Sequence, residues 1–174
     1  MKWWMIVVLV GIVGLVGLVG IVKEESTTPT NPTTPTIPTT PYHLTKTHDS
    51  LYHLNEWALP YPIYQFQTGD IDGDGNTDAM VGVIKSTRFY PEKGRRLFIF
   101  KQVKNKVRPM WLGSRLGAPL LDFRYIDRHI RSLEQMNDTL FAVAEYSWSG
   151  FGMKFEHYLI EKTDSLTALK QFKQ

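Results

Sequence analysis

Between residues 69 and 78 the chain reads Gly-Asp-Ile-Asp-Gly-Asp-Gly-Asn-Thr-Asp, and no other stretch restricts the fold as tightly. Asp70, Asp72, Asp74 and Asp78 crowd four carboxylates into nine residues. An unoccupied turn gains nothing from four mutually repelling charges, whereas a bound cation neutralises them. Calcium is a hard ion that takes six to eight oxygens, and an alternating Asp-x-Asp-x-Asp run turns its carboxylates inward when the backbone curls. Gly73 and Gly75 permit the curl. The expected ligands are the side chains of Asp70, Asp72 and Asp74, the main-chain carbonyl of Asn76, and Asp78 closing the shell. Magnesium, which keeps more of its water, suits so many carboxylates less well. An EF-hand is excluded, because position 12 of its loop must be a glutamate and here it is Val81, inside the apolar run Ala-Met-Val-Gly-Val-Ile.

A loop of this kind needs a strand on each side. Residues 62–67 read as the strand entering it and 79–86 as the strand leaving, the latter apolar on both faces and therefore buried on both. A third two-faced apolar strand follows at 96–103. Residues 122–136 read as a strand, or as strand and turn. A hairpin closes the pattern, with strands at 139–148 and 153–162 and the turn Ser149-Gly-Phe-Gly152 between them. No long amphipathic helix competes, so the fold class expected is all-β, a small antiparallel domain over 42–174.

The first 41 residues cannot belong to that domain. Trp3 to Val22 is uncharged over 20 residues, a helix of about 30 Å and enough to cross a bilayer's hydrocarbon. A cleaved signal peptide is the competing reading, but cuts after Gly17 or Gly20 put Leu15 or Leu18 where a small residue is needed. Residues 1–22 are accordingly expected to be a transmembrane anchor. Lys2 precedes the span, and Lys23 is outweighed by Glu24 and Glu25 after it, which directs the C-terminal part outward. The expected location is thus a single-pass membrane protein whose domain is periplasmic or at the cell surface. Residues 23–41 form a Thr/Pro tract with a proline about every third residue. It has nothing to bury and extends as a disordered stalk at roughly 3.1 Å per residue.

Charge is unevenly spread. Residues 42–84 carry one Lys against six acids, whereas 85–131 carry thirteen Lys and Arg against three. Such a block either attracts an anionic partner or forms a solvated basic surface. The chain has no cysteine, which excludes disulfides, thiolate metal sites and thiol nucleophiles. His43, His48 and His53, five residues apart, suit neither one helix face nor one strand face, and a zinc site there is not expected.

Shifting the chain by 60 residues lays Asp78-Ala-Met-Val-Gly-Val on Asp138-Thr-Leu-Phe-Ala-Val and Arg96-Leu-Phe-Ile-Phe-Lys on Glu156-His-Tyr-Leu-Ile-Glu. Across this shift Asp70, Asp72 and Asp74 meet Ile130, Ser132 and Glu134, so a second unit keeps strands without ligands. The run from Gly69 to Val83, followed by Gly94-Arg-Arg-Leu-Phe-Ile-Phe, resembles an FG-GAP-type repeat, the calcium-binding blade unit of integrin alpha-chain propellers, with one clear copy and one degenerate copy. The resemblance implies a calcium loop within an antiparallel blade, its ligands falling on Asp70, Asp72, Asp74, Asn76 and Asp78. It also implies two blade-like sheets in an incomplete, propeller-like arrangement, since closed propellers need four or more blades.

The functional expectation is a membrane-anchored, outward-facing, calcium-stabilised β module for binding or assembly, the ion structural and the protein not an enzyme. Its expected partners are the membrane through the N-terminal helix, an unidentified protein or glycan, and a second copy of the chain; nucleic acid is not expected. Basic strands and the Trp148–Phe151 turn are the expected contact surfaces. The alternative is an enzyme acting on acidic polymers held by the basic strands, for which Asp122, Asp127, Glu134 and Glu145 offer carboxylates without motif spacing.

Overall fold

Apolar residues on both faces of two neighbouring strands demand cover on both sides, and the fold supplies it in layers. The computed structural model describes residues 40–48, 51–113 and 115–174. The expected anchor at 1–22, and the expected stalk up to residue 39, lie outside the described residues. Among the described residues no helix is long and apolar enough to cross a membrane.

The chain is all-β and antiparallel, with eleven strands and one short helix in the described part. β1 (Leu44–His48), β2 (Leu51–Leu54) and β3 (Trp57–Leu59) make a three-stranded sheet. β4 (Ile63–Gly69), β5 (Asp78–Lys85), β6 (Gly94–Val103) and β7 (Lys106–Leu112) form a meander. β8 (Leu120–Ile126), β9 (His129–Gln135), β10 (Phe141–Trp148) and β11 (Met153–Thr163) form a second. The only ladder pair joining β6 to β8 is Arg95 with Leu120. Side chains do the rest of the joining. Gln67 donates to the Phe123 carbonyl at 3.3 Å and accepts from the Tyr125 amide at 2.7 Å, so β4 is stitched to β8 without a backbone ladder.

Alternation along β5 and β6 divides the core. Ala79, Val81, Val83, Phe98 and Phe100 face Tyr42, Leu54 and Leu59 of the small N-terminal sheet. Met80, Leu97 and Ile99 face the second meander, meeting Phe123, Ile130, Ala144 and Tyr146. The expectation that these strands are buried on both faces therefore holds residue by residue. Burial of this kind contributes about 1.5–3 kcal/mol for each large apolar residue.

Five elements were not legible in the sequence reading. β1 to β3 are short and carry no clean period, and β7 contains Pro109, which reads as a strand breaker; it is tolerated because β7 pairs only with β6 and has an open edge. The helix α1 (Ser165–Lys173) also escaped, although Asp164 before it and Lys170 and Lys173 in its last turn are ordinary boundary signals. Asp164 Oδ1 accepts from the amides of Leu166 and Thr167 at 3.0 and 3.1 Å. Ala168 and Phe172 then cover Leu133 and Val143 on the outer face of the second meander. The Thr167 hydroxyl and these amides hold the Asp164 carboxyl below the usual carboxylate range, so the cap is present above about pH 3.9 and lost as pH falls further. Asp164→Ala should raise amide exchange throughout 165–173 at neutral pH while leaving β5 and β6 protected; unchanged exchange in the helix would remove the capping role.

Turn chemistry is unusual in two places. The hairpins β6–β7 and β8–β9 turn on Lys104-Asn105 and Asp127-Arg128, all four with positive φ, the type I′ geometry that right-twisted strands favour. The 60-residue repeat lays β5 on β10 and β6 on β11. The positions matching Asp70, Asp72 and Asp74 consequently lie in strand β9, not in a loop. The second unit has no counterpart of the acidic turn for a plain reason: its polypeptide there is already paired on both sides.

Candidate metal centre

The acidic loop leaves β4 at Gly69 and enters β5 at Asp78, two residues paired with each other across the ladder. Gly73 and Gly75 have φ of 76° and 83°, the left-handed region where a side chain is strained. Each turn of the curl is pinned by a carboxylate. Asp70 accepts from the amides of Gly73 (2.7 Å) and Gly75 (3.0 Å), Asp72 from that of Asp74 (3.2 Å), and Asp74 from that of Asn76 (2.8 Å).

Carboxylate oxygens of Asp70, Asp72 and Asp78 converge, all within 4.8 Å of one another. This is the only such group among the described residues. Asp78 is fully buried. Its Oδ2 accepts from the Ile71 amide at 3.0 Å, while its Oδ1, equally buried, has no partner. Burial, reinforced by the neighbouring Asp72, pushes the Asp78 carboxyl up to about 6. A buried carboxylate oxygen without a donor beside two more carboxylates is an arrangement that a cation relieves, so the residues present fit a hard divalent ion.

Asp74 is not brought into the trio. It reaches instead to Lys101 on β6, whose Nζ lies 2.7 Å from Asp72 and 3.1 Å from Asp74. The Asn76 amide bond and then Lys101 hold the Asp74 carboxyl below its ordinary range, and the same contacts, the Asp72 bond foremost, raise the Lys101 ammonium. Sequence reading could not find Lys101, which is 27 residues beyond Asp74 and follows the apolar run Leu97-Phe-Ile-Phe100 of β6. Tyr125 of β8 was equally hidden. Its hydroxyl donates to the Asp70 carbonyl at 3.0 Å, and its ring fills the space over Gly69, where an added Cβ would fall 2.1 Å from the ring. Arg128, at the β8–β9 turn, closes over Gly73 in the same way.

Beside the loop, two grooves of about 240 and 300 Å³ share Asp72 and Trp148 as walls. The two aromatics of the β10–β11 turn part company there. Trp148 leans on the core cluster around Ile71 and Tyr146, whereas Phe151 is 95 % exposed.

The carboxylates considered for catalysis do not converge. Asp122 caps its own neighbour Phe123, Glu145 pairs with Arg131 at 2.8 Å, and Asp127 sits in its hairpin turn. Glu134 is fully buried and accepts from the Ser132 hydroxyl (2.6 Å), the Tyr146 hydroxyl (2.8 Å) and the Ala118 amide (2.5 Å). It clamps the segment between β7 and β8. No family model, curated protein or solved structure matches the chain.

Proposed function

We propose that this protein is a calcium-stabilised β module, tethered to a membrane by residues 1–22 and held away from it by the Thr/Pro tract, with the ion in a structural role. The observation that carries the metal is the orphaned, fully buried Asp78 Oδ1 next to Asp70 and Asp72. Asp70, Asp72 and Asp78 would supply carboxylate oxygens, with Asp74 and the Asn76 carbonyl completing the shell. An oxygen-only set of this charge suits calcium among the hard cations. Bound there, the ion joins β4 to β5 by neutralising charge that otherwise opposes the turn, so its affinity is folding free energy. Two stacked four-stranded meanders, one carrying the acidic turn, support the reading of two blade-like units related to an FG-GAP-type repeat. A protein or glycan partner would meet the basic strands or the exposed Phe151.

Terbium, a luminescent stand-in for calcium, tests the site directly, because Tyr125 touches the loop and can sensitise it. The full-length protein in detergent should give terbium emission that calcium displaces, and Asp78→Asn should abolish it. Emission that survives in Asp78→Asn would place the ion elsewhere. Lys101 makes a second expectation. Its ammonium already occupies Asp72 and Asp74, so a cation must compete with it; Lys101→Met should tighten calcium binding about tenfold, as expected for removing one like charge a few ångströms away. Unchanged or weaker binding would mean that Lys101 holds the loop in shape instead.

A further inference from the structure

We infer that a second, independent site binds a dianionic oxyanion, phosphate or sulfate, around Arg96. Several cations of the basic block have partners within the fold, and most of the others are exposed to solvent. Lys101 serves the acidic loop, Arg131 pairs with Glu145, Arg124 donates to the Phe172 carbonyl, and Arg95 donates to the Leu121 carbonyl and lies over the Tyr64 ring. Arg96 is different. It is 93 % buried, with 7 % of its surface left, yet it has no acidic partner among the described residues. A guanidinium stays charged at any accessible pH and presents five N–H donors. Here Nη1 donates to the Arg95 carbonyl at 3.0 Å, Nη2 to the Glu92 carbonyl at 3.3 Å, and the buried Nε has no partner. Removing a charge from water without a counter-charge is costly, so buried guanidinium groups are normally paired.

The surroundings are shaped for a counter-charge from outside the chain. Arg96 forms part of the wall of a cavity of about 250 Å³ between the β5–β6 loop and the segment leading into β8. Gly94 makes room for the guanidinium, since a Cβ there would fall 2.7 Å from Nη1. Arg96 and Arg115 both lie on the Tyr90 ring, at 5.9 and 5.3 Å from its centre, which holds the two guanidinium groups on one aromatic plate. Lys93 adds a third cation to the wall and Glu92 the only acid. The Glu92 carboxylate forms no ion pair with any of them. Three cations against one carboxylate leave two positive charges, the balance a phosphate or sulfate dianion meets, and guanidinium forks match its oxygens in geometry. The volume exceeds that of a bare ion, whose size is comparable to a few waters of about 30 Å³ each, so a small ester also fits.

Nitrogen-15 NMR of the full-length protein reads the Arg96 guanidinium directly. The Arg96 Nε–H resonance, identified by its absence in Arg96→Lys, should shift saturably on adding inorganic phosphate or sulfate and not on adding chloride at matched ionic strength. Phenyl phosphate binding more tightly than inorganic phosphate would mark an ester as the natural source, and the reverse a free ion. Arg115→Gln alters an exposed residue and should weaken phosphate about tenfold, the loss of one charge-assisted contact, while Glu92→Gln should strengthen it. Shifts that never saturate, that chloride reproduces, or that Arg115→Gln leaves at full affinity would overturn the site. Should Arg96→Lys fail to fold, the Arg115→Gln and Glu92→Gln affinities, measured by calorimetry, decide alone.

Discussion

Stripping calcium from the full-length protein with excess chelator should lower its melting temperature by roughly 10 °C. An ion present at 100 times its dissociation constant adds about 2.7 kcal/mol to the folded state, and a domain of this size shifts by several degrees for each kcal/mol. Asp78→Asn separates this from any general effect of chelators, because the sign of its effect should depend on the ion. With calcium, the variant should melt well below the parent, since the most deeply buried ligand is gone. Without calcium, it should melt at or above the parent, because the parent must keep a fully buried carboxylate oxygen with no hydrogen-bond donor. Equal melting of parent and variant in both conditions would remove the structural metal altogether. Calorimetric scans at matched ionic strength make the comparison clean, as salt alone screens the exposed carboxylates of the loop.

A comparable loss is expected from Glu134→Ala, at the opposite end of the second meander and independent of any ion. The substitution strands the Tyr146 hydroxyl and the Ala118 amide and leaves the Ser132 hydroxyl only a long 3.5 Å contact with the Ala144 carbonyl. Each unpartnered buried donor costs about 1–3 kcal/mol, giving on the order of 3–5 kcal/mol in all. Because the Tyr146 hydroxyl also accepts from the Gly117 amide at 2.9 Å, the segment from Gly113 to Pro119 should loosen first and become cleavable at Arg115 by trypsin under native conditions. Burial and the adjoining Glu134 raise the Tyr146 hydroxyl well above its ordinary range, so it stays a donor throughout the accessible pH range. Tyr146→Phe should lose less, about 1 kcal/mol, because Glu134 retains two donors. A urea midpoint for Glu134→Ala within error of the parent would show that the carboxylate is solvated and the clamp is not formed.

Much of the scaffold could be read from the residues in order. β4, β5, β6, β10 and β11 announce themselves through apolar and β-branched runs between Gly, Pro and Asp, and both faces of β5 are apolar because both are covered. Elements whose stability comes from neighbours were the ones missed. β1 to β3 have little periodicity of their own and exist as a lid over Val81 and Phe98. β7 survives its proline by occupying an edge. α1, nine residues long, would not hold alone and depends on docking Ala168 and Phe172.

The candidate metal centre divides along the same line. Aspartates at 70, 72, 74 and 78 are local, and their spacing by itself determined that the loop would curl, that it would gather negative charge and that an EF-hand was excluded. Which of them converge is a tertiary outcome. Asp78 is drawn into the core by its place at the head of β5, leaving an oxygen without a donor, while Lys101, brought across from β6, takes Asp74 out of the trio. Tyr125 and Arg128 close the loop from β8 and its turn, more than 50 residues along the chain. The basic block behaves likewise: composition revealed its charge, but only packing decided that Lys101 and Arg131 would meet carboxylates within the fold and that the buried Arg96 would not. Local spacing determines which chemical groups a turn can offer; burial and partners arise from contacts distant in sequence, and those alone decide which groups are left unsatisfied.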